Sequence, residues 1–135
     1  MKSINLPRNI VNRLLTLAQQ DFEIESCGLI GAINNIPTHV YPVENIAADK
    51  QRLFEMQPAQ QIAAMKLMRE RQESLFAIYH SHPHAPAKPS LLDIQRANYS
   101  DVFYFIISLD IKGVLEMKGF YLVDGTFDVV ELVYV

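Results

Sequence analysis

The longest apolar run of the chain, VFYFIISL at residues 102–109, constrains the fold more than any other segment. It is far too short to span a bilayer, and its aromatic and β-branched residues predict a buried strand. A buried strand implies a sheet with apolar elements packed against it. The remaining segments therefore have to supply further strands and at least one layer of helices.

Three segments predict helices. Residues 7–20, PRNIVNRLLTLAQQ, place apolar side chains at amphipathic spacing, and Pro7 is tolerated near the first turn. A second helix is expected from Pro58 to about Arg71, and a shorter third helix from Ser90. The residues expected to face inward from the second helix are Ile62, Met65 and either Met68 or Ala64.

The other apolar stretches predict strands separated by Gly, Asn and Pro turns. Residues 26–33 and 37–43 are expected to form a hairpin with its turn at or near NNIP. Further strands are predicted at 52–57, 74–80, 102–109, 113–122 and 127–134. The order α-β-β-β-α-β-α-β-β-β predicts a single α/β domain over residues 1–135, with helices packed on a mostly antiparallel or mixed sheet.

Composition excludes several function classes. The net charge is −3, and the only basic cluster, MRER, alternates in sign, so no nucleic-acid surface is expected. No apolar run suits a membrane span, and the first ten residues do not resemble a signal peptide. The single cysteine excludes an internal disulfide framework and fits a reducing cytoplasm.

A histidine cluster at the end of the strand predicted at 74–80 indicates a metal site. His80 and His82 are two residues apart, so a strand presents both imidazoles on one side. Asp93 follows after a proline-stiffened loop and can serve as a third ligand. Two imidazoles and one carboxylate suit a catalytic zinc, which keeps an open position for water.

The same residues are also compatible with an interpretation in which no metal is bound. The segment SLLD is a capping box, in which Ser90 caps the third helix and Asp93 interacts with its dipole. The two histidines would then be surface residues. The roles are compatible, because a serine at a helix start near a metal can also donate a hydrogen bond to a developing oxyanion.

A hydrolytic zinc site also needs a carboxylate that accepts a proton without binding the metal. The candidates are Glu23, Glu25, Glu44 and Glu55. Glu25 precedes a buried strand, where partial burial would raise its pKa towards neutrality. Periodicity alone does not separate Glu25 from Glu23, and either could be a solvated turn residue.

Three further residues are expected to stay outside the chemistry. His84 follows Pro83, which bends the chain away, and it could line the entrance to the cleft. His39 lies in a predicted strand and is expected to be structural. Cys27, the only thiol, is expected to be a small buried apolar residue rather than a nucleophile.

Taken together, these segments resemble the JAMM/MPN+ zinc metalloprotease family. ESCGLIG at 25–31, YHSHP at 79–83 and PSLLD at 89–93 match its pattern of Glu, then His-x-His-Pro, then Ser-x-x-Asp. YPVENIA, FEMQP and FYFIISL are similar to segments of the small stand-alone prokaryotic members. The resemblance covers nearly the whole chain, and it implies the family's cytidine-deaminase-like MPN (JAB) fold, a curved mixed sheet flanked by helices.

The resemblance also implies roles and a substrate. His80, His82 and Asp93 take the positions of the ligands to one zinc ion, Glu25 that of the general base, and Ser90 that of the oxyanion donor. The implied activity is hydrolysis after the C-terminal diglycine of a ubiquitin-like sulfur-carrier protein or its conjugate. Residues 44–58 are the candidate groove wall. The leaving group and the oligomeric state are left open, with a homodimer as one option.

Two alternatives remain at the level of sequence. The first is a non-catalytic interaction module that keeps zinc for stability, although structural zinc sites are normally closed. The second is a non-haem iron oxygenase, because two histidines and one carboxylate also form a facial triad. The mixed α/β order, Glu25 and Ser90 are features that an oxygenase does not need.

Overall fold

Seven strands form one mixed sheet in the computed structural model, which describes residues 2–135. The strands are β1 (Ser3–Leu6), β2 (Cys27–Ile33), β3 (Ile36–Val43), β4 (Ser74–His82), β5 (Phe103–Ser108), β6 (Glu116–Val123) and β7 (Thr126–Tyr134). Their order across the sheet is β1-β7-β6-β5-β4-β2-β3. The helices are α1 (Arg8–Gln20), α2 (Pro58–Glu70) and α3 (Leu91–Arg96).

Strand β4 is an interior strand of the sheet and ends in the histidine cluster. It pairs antiparallel with β2, with Cys27 opposite His80, and parallel with β5, with Ser108 opposite His82. Because neighbouring strands hydrogen-bond to β4 on both sides, the backbone that carries the histidines is fixed by the sheet.

Apolar clusters cover both faces of the sheet. On one face α1 buries Ile10, Val11 and Leu14 in the cluster that contains Phe105 and Ile107. On the other face α2 contributes residues to the cluster that contains Leu29, Ile78 and Ile106. The predicted buried strand at 102–109 is therefore covered on both faces, as its composition requires.

Most predicted elements are confirmed, and the exceptions have physical causes. Residues 52–57 are not a strand, because only the isolated bridge between Asn45 and Met56 pairs this segment. Strand β1 was not predicted; it pairs parallel with β7, a partner more than a hundred residues away. Helix α2 buries Ala64 and Met68 and packs Met65 against the core as predicted, but Ile62 is 67% exposed, so the prediction is wrong for Ile62 alone.

The turn between β2 and β3 follows from local chemistry. Asn34 and Asn35 connect β2 to β3 with φ angles of 52° and 63°, the left-handed values that a two-residue hairpin turn requires.

None of the helices among the described residues has the length and apolar character needed to cross a bilayer.

A buried carboxylate lies at the start of β4, at the opposite end of the strand from the histidine cluster. The side chain of Glu73 accepts hydrogen bonds from Thr38 and Tyr41, and its Oε2 lies 2.7 Å from His39 Nδ1. Burial raises the pKa of Glu73, but these hydrogen bonds outweigh it and hold the pKa below its ordinary value. The partnership with Glu73 supports the structural role predicted for His39.

Gly28 allows β2 to approach the ring of Tyr79 on β4. A Cβ atom at this position would lie 2.5 Å from the Tyr79 hydroxyl and against the backbone carbonyl of Tyr41. We expect Gly28→Ala to lower the free energy of unfolding by about 2 kcal/mol, measured by urea denaturation, because a backbone atom cannot yield as a side chain can.

Gly119→Ala is the matched control in strand β6. The added Cβ would lie 2.7 Å from Cδ2 of Leu132, the end of a flexible side chain. This variant should lose less than half as much stability. Equal losses in the two variants would contradict the proposed steric cause.

Candidate metal centre

Four side chains from three segments converge at the end of β4. The candidate ligand atoms of Glu25, His80, His82 and Asp93 all lie within 4.8 Å of one another. The two histidine Nε2 atoms are 3.0 Å apart, and each lies 3.2 Å from Asp93 Oδ2. The structure therefore brings together the three predicted ligands and the predicted base.

Alternation along β4 explains this convergence. His80 and His82 project to one side, and Ser81 between them projects to the other, where it is fully buried. Ser81 Oγ accepts a hydrogen bond from the Ser26 backbone N–H at 2.8 Å and donates to the Ile24 carbonyl at 3.4 Å. Ser81, whose role the sequence analysis missed, therefore ties β4 to the segment that carries the predicted base.

The proline loop after β4 fixes the ring of His82. His82 Nδ1 lies 2.9 Å from the carbonyl oxygen of Pro86, an atom that can only accept, so Nδ1 carries the proton and donates it. In the neutral ring Nε2 then holds a lone pair that points at the cluster. A hydrogen bond from the ring nitrogen that does not bind the metal is what orients metal-binding histidines in proteins.

Asp93 belongs both to the cluster and to the start of α3. Its Oδ2 accepts a hydrogen bond from the Ser90 N–H at 2.9 Å, and its own N–H donates to Ser90 Oγ at 3.0 Å. The predicted capping box is thus present. Because Ser90 Oγ acts as an acceptor here, its own O–H remains available to donate.

The pKa of each of the three converging side chains departs from its ordinary value. Burial raises the pKa of Asp93, but hydrogen bonds with His80 and His82 outweigh this effect and hold it well below its ordinary value. Burial lowers the pKa of His80, which favours the neutral ring that a metal requires. The pKa of His82 lies above its ordinary value, because the contacts with Asp93 and Pro86 outweigh burial.

Glu25 differs from the other three side chains. Its Oε1 is the one buried side-chain nitrogen or oxygen atom among the described residues that has no hydrogen-bond partner. Burial raises the pKa of Glu25 to about 8, although His82 acts in the opposite direction. A carboxylate with this environment suits a group that takes up and releases a proton.

The donor set fits zinc. Two imidazole nitrogens and one carboxylate oxygen converge, which is a ligand combination that catalytic zinc sites use with a fourth position open. A cation at this point would interact with the ionised Asp93 and take the place of protons on the histidine Nε2 atoms. The Glu25 carboxylate, one oxygen of which has no hydrogen-bond partner, belongs to the same group.

A groove runs up to the cluster. It has a volume of about 630 Å³ and includes His80 and Asp93 in its lining. One wall is formed by residues 53–56, part of the segment predicted for this role. The Phe54 ring stacks on the His80 imidazole at a centroid distance of 4.5 Å, a contact that no sequence signal revealed.

The remaining candidates lie outside the cluster. Glu23, Glu44 and Glu55 are exposed, and so is His84. Cys27 is buried, and burial followed by the nearby Glu25 raises the pKa of its thiol to about 12. A thiol with this pKa stays protonated, which agrees with the prediction that Cys27 is not a nucleophile.

Comparison with known proteins assigns the family. Residues 7–118 match the model of the prokaryotic homologs of the JAB domain. The chain therefore belongs to the prokaryotic JAB-domain family, and the predicted resemblance to JAMM/MPN+ metalloproteases is confirmed.

Curated relatives are peptidases. The chain is 26% identical to the CysO-cysteine peptidase of Mycobacterium tuberculosis over 87% of this chain and 81% of that protein. It is 28% identical to the desampylase of Haloferax volcanii, with 69% and 68% covered. It is 30% identical to the probable TtuB-protein conjugate cleaving protease of Thermus thermophilus, with 78% and 70% covered. The predicted enzyme class, a metallopeptidase, is confirmed.

Solved structures share the fold. A protein from Desulfitobacterium hafniense superposes with a TM-score of 0.86 at 30% identity, covering 98% of this chain and 92% of that one. A JAB1/MPN domain protein from Archaeoglobus fulgidus superposes with a TM-score of 0.62 at 16% identity, covering 100% and 99%. The predicted MPN-type fold is therefore confirmed.

Proposed function

We propose that this chain is a zinc peptidase that hydrolyses the bond after the C-terminal diglycine of a ubiquitin-like sulfur-carrier protein or its conjugate. The observation that carries the proposal is the buried Glu25 carboxylate, which has no partner for Oε1 and lies beside three converging ligand atoms. The curated relatives are named for reactions of this kind, on CysO-cysteine and on TtuB-protein conjugates.

We assign the roles from the geometry of the cluster. His80, His82 and Asp93 would hold one zinc ion per chain through the side-chain atoms that converge, the two Nε2 atoms and a carboxylate oxygen. When bound, zinc would act as a Lewis acid, which polarises the scissile carbonyl and lowers the pKa of the attacking water. Glu25 stays outside the ligand set and serves as the general base.

The residues of the chain then handle the proton and the developing charge. Glu25 Oε1 takes the proton from the attacking water and later delivers it to the leaving amine. Ser90 keeps its O–H free and donates it to the oxyanion. Cys27 takes no part, because its buried thiol contacts the Val43 carbonyl instead.

The groove accounts for a diglycine tail. Its wall at residues 53–56 includes Phe54, whose ring stacks on His80 next to the cluster. Glycine lets a peptide backbone approach closely because it has no Cβ. An extended tail with two glycines at its end fits these conditions.

The proposal extends to the organisation of the protein. We infer that residues 1–135 act as one JAMM/MPN+ domain, which the single sheet running through β1–β7 supports. The cytoplasmic location and the oligomeric state, with a homodimer as one option, stay predictions. The family assignment argues against the iron oxygenase, and a non-catalytic module gives no reason to bury an unpartnered Glu25 oxygen.

Cleavage of a defined substrate tests the function. Zinc-loaded protein is incubated with ubiquitin-like carriers from the same genome, each extended beyond its diglycine by a short peptide, and the products are weighed by mass spectrometry. We expect a product that ends in Gly-Gly, and no product from carriers in which both glycines are replaced by alanine. If zinc-loaded protein leaves every diglycine carrier intact, the proposed function is wrong.

A further inference from the structure

Asn45 lies at the junction of the groove wall and the predicted base. It is 4% exposed, and its Nδ2 donates hydrogen bonds to the carbonyls of Glu25 and Leu53, each at 2.9 Å. Its Oδ1 accepts from the backbone N–H groups of Ala47 at 2.9 Å and Glu55 at 3.1 Å. An asparagine amide offers two donors and two lone pairs, so this side chain is fully used.

The segment around Asn45 holds both backbone polar groups of Glu25. Glu25 precedes β2 by two residues and lies outside its ladder. Its N–H donates to the Lys50 carbonyl at 2.7 Å, and its carbonyl accepts from Asn45. The two backbone polar groups of Glu25 are therefore held by Asn45 and Lys50, whereas Ser81 of β4 holds the neighbouring residues Ile24 and Ser26.

The same side chain fixes the groove wall. Asn45 bonds to Leu53 and Glu55, the residues on either side of Phe54. Phe54 in turn stacks on His80, and its carbonyl accepts a hydrogen bond from Arg96 Nη1 at 3.2 Å. Asn45 thus connects the surface along which a tail would lie to the group that would move the proton.

We propose that Asn45 is a positioning residue for the reaction. It holds the Glu25 carboxylate at a fixed position relative to a peptide bound along residues 53–56. The inference rests on the proposed function. Small displacements of a reacting group cost large factors in rate, so a buried amide that links base and groove affects turnover without touching substrate.

Two variants distinguish the hydrogen bonds that Asn45 donates, to Glu25 and Leu53, from those that it accepts. Asn45→Asp keeps an acceptor for Ala47 and Glu55 but turns the donor group into an oxygen that faces two carbonyls. Asn45→Ala removes all four bonds. Thr38→Val is the matched control, because it removes hydrogen bonds around Glu73 at the other end of β4.

In zinc-loaded protein we expect both Asn45 variants to lower kcat by about tenfold, with KM changed by less than about threefold. The Thr38 control should keep kcat within about twofold of wild type. Glu25→Asp shortens the side chain and so withdraws the carboxylate from the cluster. In this background the additional substitution Asn45→Ala should lower kcat by less than about threefold. A merely structural role would give the same tenfold loss in both backgrounds.

Amide hydrogen exchange at Glu25 supplies a readout that needs no substrate. Exchange should accelerate by about tenfold or more in both Asn45 variants and stay unchanged in Thr38→Val. Unchanged exchange at Glu25 overturns the inference, whether or not any carrier is cleaved. If wild-type protein cleaves and Asn45→Asp retains kcat within twofold, the inference is also wrong. If Asn45→Ala does not fold, Asn45→Asp decides.

Discussion

Glu25→Gln lowers kcat on a diglycine-extended carrier by roughly a thousandfold, within the range of about 10²–10⁴ that general acid–base catalysis contributes. The amide is close in size and shape to the carboxylate but cannot accept the proton. Zinc should remain bound at one ion per chain, because the three proposed ligands are untouched. Rates are measured by single-turnover mass spectrometry, and zinc by elemental analysis.

Stability separates this effect from misfolding. Burial raises the pKa of Glu25 to about 8, so the charged form is disfavoured in the folded protein. A neutral glutamine should therefore leave the unfolding midpoint at neutral pH unchanged or slightly higher. Glu23→Gln, two residues earlier and exposed, is the matched control and should cleave at the wild-type rate. Wild-type turnover by zinc-loaded Glu25→Gln would refute the assignment of the base.

His82→Ala is expected to abolish stoichiometric zinc binding and to lower activity by roughly a thousandfold. Loss of a group that merely orients a ligand costs about 10–100-fold, so loss of the ligand itself should cost more. Added zinc should raise the melting temperature of the wild-type protein and leave that of the variant unchanged, since only the former binds the ion tightly in its folded state. Zinc content and thermal unfolding with and without a chelator provide the measurements.

His84→Ala provides the comparison for this prediction. His84 belongs to the same histidine row in the sequence, but it is exposed and lies outside the cluster. This variant should bind one zinc ion and keep wild-type activity. Equal loss of zinc from His82→Ala and His84→Ala would mean that the neighbouring histidines chelate zinc non-specifically and do not form the defined site described above.

The histidine cluster was predictable because its determinants are local. His80 and His82 are placed by the two-residue period of a strand, and Ser90 and Asp93 by the three-residue spacing of a capping box. The prediction that Ser90 caps α3 and the prediction that Asp93 reaches the histidines are both confirmed by contacts. The catalytic roles of Ser90 and Glu25 stay predictions.

Features that depend on distant partners could not be predicted. Strand β1 forms because it pairs with β7. In residues 52–57 the Asn45 side chain bonds to the Leu53 carbonyl and the Glu55 N–H, and only the isolated bridge at Met56 pairs this segment. Ile62 fits the helical period, but the surface that α2 meets is visible only in the folded sheet. The stacking of Phe54 on His80 is likewise a contact between segments that no spacing rule relates.

Asp93 Oδ2 carries a consequence for how this position can vary. The same oxygen closes the first turn of α3 through Ser90 and meets both imidazole nitrogens. Capping of α3 and the proposed metal binding therefore depend on one atom, and a replacement at residue 93 that removes this oxygen affects both. Any comparison of sequences at this position reports on folding and on catalysis at once, so tolerance at residue 93 cannot be assigned to one constraint alone.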